Sequence, residues 1–243
     1  MAIPLILCVV IIASLVGTMT GFGTSTIMVP VLLFFYPVPQ TLLFVGIVHW
    51  FGNIWKLTLF RKGFQWKLVL SFGIPGIAAT FFGASLVFSI SAIVLSRILG
   101  TFLICYVVCL FLKSSFKIKP GLFASACGGT LSGFLAGVFG IGGAVRGLFL
   151  TAFDLPKEVY IATAGAIALI IDTTRLTTYL LKGARLEQLL LWGLILFIPA
   201  SFLGAQIAKS VVNRIPQEHF RKVIAAFLLL VGMKLILLPA SIR

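Results

Sequence analysis

Two short stretches hold residues whose types and spacing could do chemistry. In "VHWFGNIWKLTLF", His49, Asn53 and Lys56 are spaced i, i+4, i+7 and share one helix face. In "IIDTTRLTTYL", Asp172 and Arg175 are spaced i, i+3 and can pair with each other. A third stretch, "AGVFGIGGAVRG" at 136–147, is glycine-rich and carries Arg146 one helical turn beyond its glycines. A guanidinium offers a fork of donors that fits a planar or tetrahedral oxyanion bidentately. An imidazole changes its charge near neutral pH, and Asp172 could neutralise Arg175, carry a proton, or do both. Anion binding, with a proton as coupling ion, is the chemistry these side chains suit.

All of these polar groups lie in apolar sequence. The chain has 243 residues, of which 60% are hydrophobic and 10% charged, and its mean hydropathy is +1.20. A water-soluble surface needs far more charge than that. Apolar runs fall at 3–36, 41–60, 66–88, 92–112, 121–153, 159–181, 187–208 and 222–238, and about 20 apolar residues cross a bilayer. The expected fold is an all-α polytopic membrane protein forming one transmembrane domain over 1–243. Its short loops leave no room for an ATPase module, so transport would run on gradients. The stretch from Pro4 to Gly17 lacks a charged start and an Ala-x-Ala site and reads as mature protein.

The net charge of +14 sits largely in loops such as "RKGFQWK", "KSSFKIK" and "KSVVNRIPQEHFRK". In a soluble protein it would suggest nucleic acid; here it orients a membrane protein. Cys8, Cys105, Cys109 and Cys127 lack metal-type spacing and read as small buried hydrophobes, although Cys105 and Cys109 share a helix face. Trp50, Trp55, Trp66 and Trp192 read as anchors at interfaces or on helix faces. Pro30, Pro75 and Pro199 fall inside helices and would kink them.

Sliding the sequence over itself by 120 residues aligns Gly17 with Gly137, Gly23 with Gly143, and Gly63 with Gly183. With one residue of slippage Gly83 matches Gly204, and further on "RILGTF" at 97–102 resembles "KVIAAF" at 222–227. The chain thus divides into repeat 1 (1–113), a linker (114–119) and repeat 2 (120–243). Each half has a long segment broken at glycines, followed by three transmembrane helices. If each broken segment is a hairpin that dips in and returns, the halves are inverted. Arg61, Lys62, Lys67, Lys113, Lys117, Lys119, Lys157, Lys209, Arg214, Arg221 and Lys222 then fall inside, with Arg97, Lys182, Arg185 and Arg243 outside, eleven to four. Parallel halves give nine to six, so the positive-inside rule favours inversion.

Non-helical backbone at membrane depth survives only beside protein partners or a water-filled cavity. Short helices starting after the two breaks would aim their N-terminal N–H groups at such a cavity and favour an anion. Gly142 and Gly143 would let a ligand approach the backbone, and Thr24 and Ser25 would add hydroxyls at the matching place. The plainer alternative is close helix packing through Gly17/Gly21 and Gly133/Gly137. Lys56 could snorkel toward the Arg61 loop, and His49 could be structural, a ligand or a protonation site. The expected substrate-binding set is Arg146, Arg175, His49, Asn53, Thr24, Ser25, Gly142 and Gly143, with Asp172 and Lys56 as coupling or ion-pair residues.

"GFGTSTIMVPVLL" followed by "GVFGIGGAVRGLFLTAFDLP", on two four-segment halves, resembles the sulfite exporter TauE/SafE family of membrane transporters over nearly the whole chain. The resemblance implies secondary transport of sulfite or organosulfonates such as sulfoacetate. Thr24 and Ser25 replace later glycines of the family's Gly-x-Gly-Gly-Gly pattern, and Arg146 stands where an apolar residue is usual. No cofactor, metal, catalytic residue or enzymatic activity is expected. The expected partners are a small sulfur-containing anion, the bilayer and a coupling proton or sodium ion, with no nucleic acid. A homodimer is compatible with the chain, and the compact basic loops fit a bacterial inner membrane. The competing readings are a thiol-dependent sulfur carrier or enzyme, and an assembly protein without substrate.

Overall fold

A computed structural model describes residues 2–20, 23–60, 63–111, 119–211 and 217–239. Every regular element among them is helical: α1 (Ala2–Thr20), α2 (Ser25–Leu32), α3 (Val38–Leu59), α4 (Trp66–Leu86), α5 (Ala92–Phe111), α6 (Leu122–Phe139), α7 (Gly143–Thr151), α8 (Lys157–Leu181), α9 (Gln188–Val211) and α10 (Gln217–Leu237). Five of these, α3, α4, α6, α8 and α9, are long and apolar enough to cross a membrane, and shorter apolar stretches lie in α1, α5 and α10. Phe81, Phe82, Phe123, Leu181, Trp192 and Ile195 are exposed, while His49, Asn53, Lys56, Arg146, Asp172 and Arg175 are buried. Apolar outside and polar inside is the arrangement that hydrocarbon solvent selects. Gly21, Arg61, Lys62, Lys113, residues 114–118, Arg214, Arg243 and the Cys109 side chain lie outside the described residues.

The element order repeats: a long helix, a break, a short helix, then three long helices. Local signals set the boundaries. Pro37 and Pro156 are the N-cap residues of α3 and α8, where the missing N–H costs nothing. Gly63 and Gly183, at φ of +87° and +93°, turn the chain just beyond those helices. Gly23 (φ +86°) precedes α2 in the first broken segment, and Gly140 (φ +73°) ends α6 in the second. Gly140 is a left-handed C-cap whose N–H donates to the Ala136 carbonyl at 2.9 Å. The chain then doubles back: a Cβ on Gly142 would sit 2.0 Å from the Ser132 carbonyl, and one on Gly128 would sit 2.8 Å from Cβ of Phe149. Helix α7 therefore lies along α6, as a returning hairpin requires.

The halves interlock. Helix α1 packs on α9, α6 on α4, α3 on α8, and α5 on α10. Along α6, a Cβ on Gly129, Gly133 or Gly137 would come within 2.2, 2.4 and 2.5 Å of the carbonyls of Phe72, Gly76 and Thr80. The contacts climb both helices together, so α4 and α6 run parallel with their backbones touching, and Thr80 Oγ1 donates to the Gly133 carbonyl at 3.0 Å. Close packing is thus the role of Gly133 and Gly137. Gly204 plays the same part against Ile11 of α1. Gly17 instead faces the backbone of Gly23 and Thr24, holding the first break against α1. Helices α3 and α8 run antiparallel, with Gly46 against Arg175 and Leu176 at one end of the crossing and Lys56 against Gly165 at the other.

Candidate functional site

The α3/α8 crossing gathers its polar residues around one carboxylate. His49 Nδ1 lies 2.7 Å from Asp172 Oδ2, Asn53 Nδ2 donates to the same oxygen at 2.8 Å, and Arg175 Nε donates to Oδ1 at 2.7 Å. Lys56 Nζ donates to Asn53 Oδ1 at 3.1 Å. An ionised carboxylate only accepts, so His49 Nδ1 carries a hydrogen and Nε2 is the free position of the neutral ring. The 3.4 Å approach of Asn53 Nδ2 to His49 Nδ1 then joins two donors that share Oδ2 rather than bonding to each other. Arg146 on α7 acts on Asp172 electrostatically, so three buried basic side chains, Lys56, Arg146 and Arg175, bear on one acid. Lys56 points inward to Asn53 and does not snorkel to the loop.

Hydrogen-bonding capacity is left over. The donors Arg175 Nη1 and Nη2 and Arg146 Nε, and the acceptor His49 Nε2, are buried without a partner in hydrogen-bonding geometry, with Tyr179 beside the Arg175 guanidinium. Unpaired buried donors cost about 1–3 kcal/mol each, more when charged, so a group that accepts from them would recover that cost. Two of these atoms lie at the breaks. A Cβ on Gly23 would come within 2.5 Å of His49 Nε2, and a Cβ on Gly140 within 2.9 Å of Arg175 Nη1. The first break therefore rests on the histidine and the second on the arginine. Thr24 and Ser25 are buried at the start of α2, and Thr24 Oγ1 approaches Gly52 of α3. Gly142 lies against α6, and Gly143 begins α7 and is buried.

A shift of 119 rather than 120 residues superposes α3 on α8. Pro37 then matches Pro156, Gly46 matches Gly165, Asn53 matches Asp172 and Lys56 matches Arg175. Gly46 abuts Arg175 while Gly165 abuts Lys56, so each basic side chain lies over the other helix's glycine. Sequence reasoning missed these two glycines, although a one-residue change of offset reveals them. It also missed Tyr179, whose hydroxyl donates to the Gly137 carbonyl. Trp50 and Trp55 do more than anchor: their indole N–H groups donate to Thr173 Oγ1 at 2.9 Å and Ser201 Oγ at 3.1 Å. Among the described cysteines, Cys8 and Cys105 are exposed and Cys127 is partly buried, and none belongs to the hydrogen-bonded cluster.

A multi-pass helical membrane protein with a buried basic cluster between two glycine breaks is the class these features define, and comparison with known proteins agrees. The family described as "Sulfite exporter TauE/SafE" matches residues 6–235, and the chain belongs to it. The chain is also similar to a protein of Methanocaldococcus jannaschii described as a probable membrane transporter, with 26% identity over 162 residues. That match covers 59% of this chain and 59% of the relative. No solved structure matches. The chain is an integral, multi-pass membrane protein of this family, and the match spans about three fifths of the length of the relative.

Proposed function

We propose that this chain is a gradient-driven transporter of small oxyanions, with sulfite and organosulfonates such as sulfoacetate as its substrate class. The observation that carries the reading is the set of unpartnered, buried guanidinium nitrogens of Arg175 and Arg146 beside the second glycine break. A sulfonate or sulfite group has oxygens to accept from both, and its charge offsets a cluster of three bases around one acid. Backbone N–H groups at the start of α7 add to the same attraction.

The mechanism is alternating access by two inverted halves of the transmembrane domain. The antiparallel crossing of the matched helices α3 and α8 supports the inversion, as does the exchange in which α1 packs on α9 and α6 on α4. The polar groups at the crossing are all buried, which suits an occluded state from which either side can open. Arg175 and Arg146 hold the anion, Thr24, Ser25, Gly142 and Gly143 shape the two breaks, and Asn53 and Lys56 keep Asp172 oriented. Direction follows from the gradients, and a bacterial inner membrane is the setting we propose.

Proteoliposomes containing the purified chain test this. Saturable entry of radiolabelled sulfite or sulfoacetate, lost in Arg175→Gln and Arg146→Gln variants that still fold, supports the reading. Folded wild type that moves neither anion sinks it.

A further inference from the structure

A single hydrogen-bonded chain joins the two glycine breaks. It begins at His49 Nε2, buried and unpartnered against Gly23, and passes from His49 Nδ1 to Asp172 Oδ2 at 2.7 Å. It leaves through Asp172 Oδ1 to Arg175 Nε, again at 2.7 Å, and ends at Arg175 Nη1 against Gly140. One end is a bare ring nitrogen, able to take a proton. The other is a guanidinium edge, able to take an oxyanion. The carboxylate between them touches both.

Resting on the anion-carrier reading above, we propose that His49 is the proton-coupling site of this transporter, binding one proton on Nε2 for each anion held by Arg175 and Arg146. The step is an acid–base addition: the Nε2 lone pair takes a proton from water on the side to which the carrier is open, giving an imidazolium that still donates from Nδ1 to Asp172. The proton leaves from Nε2 when the carrier opens to the other side.

Electrostatics ties the two events together. The charged groups that face His49 are Asp172 and Arg175 on α8 and Lys56 on α3, and Arg146 on α7 lies within reach of Lys56, Asp172 and Arg175. Helices α1 and α2 carry no charged residue, and α9 only Lys209 in its last turn. A proton on His49 makes a fourth positive charge around one carboxylate, which an empty site disfavours and a bound anion offsets. Away from water such charges act strongly on one another. By linkage the proton must strengthen anion binding by the same factor as the anion strengthens proton binding. Without the anion the imidazolium is poorly supported, and without the proton the anion is bound less tightly, so the two cross together.

Sulfoacetate is the probe, because both of its acidic groups stay ionised near neutral pH, so a proton that enters with it is carried by the protein. Proteoliposomes are loaded with a pH-reporting dye, and proton and radiolabelled sulfoacetate entry are measured together, alongside exchange of labelled for unlabelled sulfoacetate without any gradient. The expected wild-type result is exchange, accumulation driven by an acid exterior, and one proton per anion. In His49→Gln, whatever its exchange rate, the proton ratio falls to zero and the exchange rate no longer varies with pH. Net sulfoacetate entry into wild-type proteoliposomes without proton entry overturns the coupling and leaves the carrier standing. A His49→Gln protein that still moves one proton per anion overturns the assignment to His49. Folded wild type with no exchange removes both this inference and the carrier reading. If His49→Gln does not fold, His49→Asn is read in its place by the same criteria.

Discussion

Asn53 and Asp172, 119 positions apart, occupy matched places on α3 and α8 and meet at 2.8 Å, amide nitrogen to carboxylate oxygen. The same relation pairs Lys56 with Arg175, and Gly46 with Gly165. One half thus supplies an amide and a lysine where the other supplies a carboxylate and an arginine. This asymmetry places the carboxylate and the guanidinium on α8 and leaves the imidazole on α3.

Moving the carboxylate tests that relation. Asp172→Asn leaves Arg175 buried without its counter-charge, a loss of about 3–5 kcal/mol when one partner of a buried pair is removed. The double exchange Asn53→Asp/Asp172→Asn restores a carboxylate within the cluster. Thermal unfolding in detergent is expected to show the single variant well below wild type and the exchange variant between the two. An exchange variant no better than Asp172→Asn would mean that the cluster does not tolerate the acid from either helix.

Arg175→Lys and Arg146→Lys keep the charge and lose the planar fork. Anion flux at subsaturating substrate is expected to fall at least tenfold in each, equivalent to about 1.4 kcal/mol of binding. Dose–response curves for sulfite entry read this directly. Unaltered curves would remove bidentate recognition from the account.

Glycines at positive φ separate strain from contact. Gly63 and Gly183 have open space where a Cβ would go, so alanine there costs only the left-handed conformation, about 1–2 kcal/mol. Gly23→Ala adds a collision with His49 Nε2 at 2.5 Å. Gly63→Ala is expected to lower the melting temperature slightly while transport persists, whereas Gly23→Ala loses transport. Equal transport in the two would detach the first break from the site.

The backbone contact between α4 and α6 sets a packing limit. Gly129→Ala drives a methyl to 2.2 Å from the Phe72 carbonyl, and overpacking costs about 1–3 kcal/mol. Monodispersity and melting temperature should both decline. A variant as stable as wild type would show that α4 and α6 are able to move apart.

Reporter fusions check the arrangement of the halves. Alkaline phosphatase, active only outside the inner membrane, is expected to be inactive when fused after Gly63 and active after Gly183. The same outcome at both glycines would make the halves parallel.

Composition and the recurrence of apolar runs determined that this chain is a multi-pass helical membrane protein, because hydrocarbon leaves the backbone few alternatives. Prolines before α3 and α8 and glycines after them marked those boundaries, because their limits on φ act locally. The buried ionisable residues were legible as a group, since charge at membrane depth is expensive wherever it occurs. The partners of each were not. Only the tertiary structure decided that Asp172 takes donors from three side chains, that Lys56 turns inward, and that His49 and Arg175 each end at a different break. Those outcomes depend on the crossing of α3 and α8, on two glycines that let it close, and on doubled-back segments whose approach no local spacing encodes.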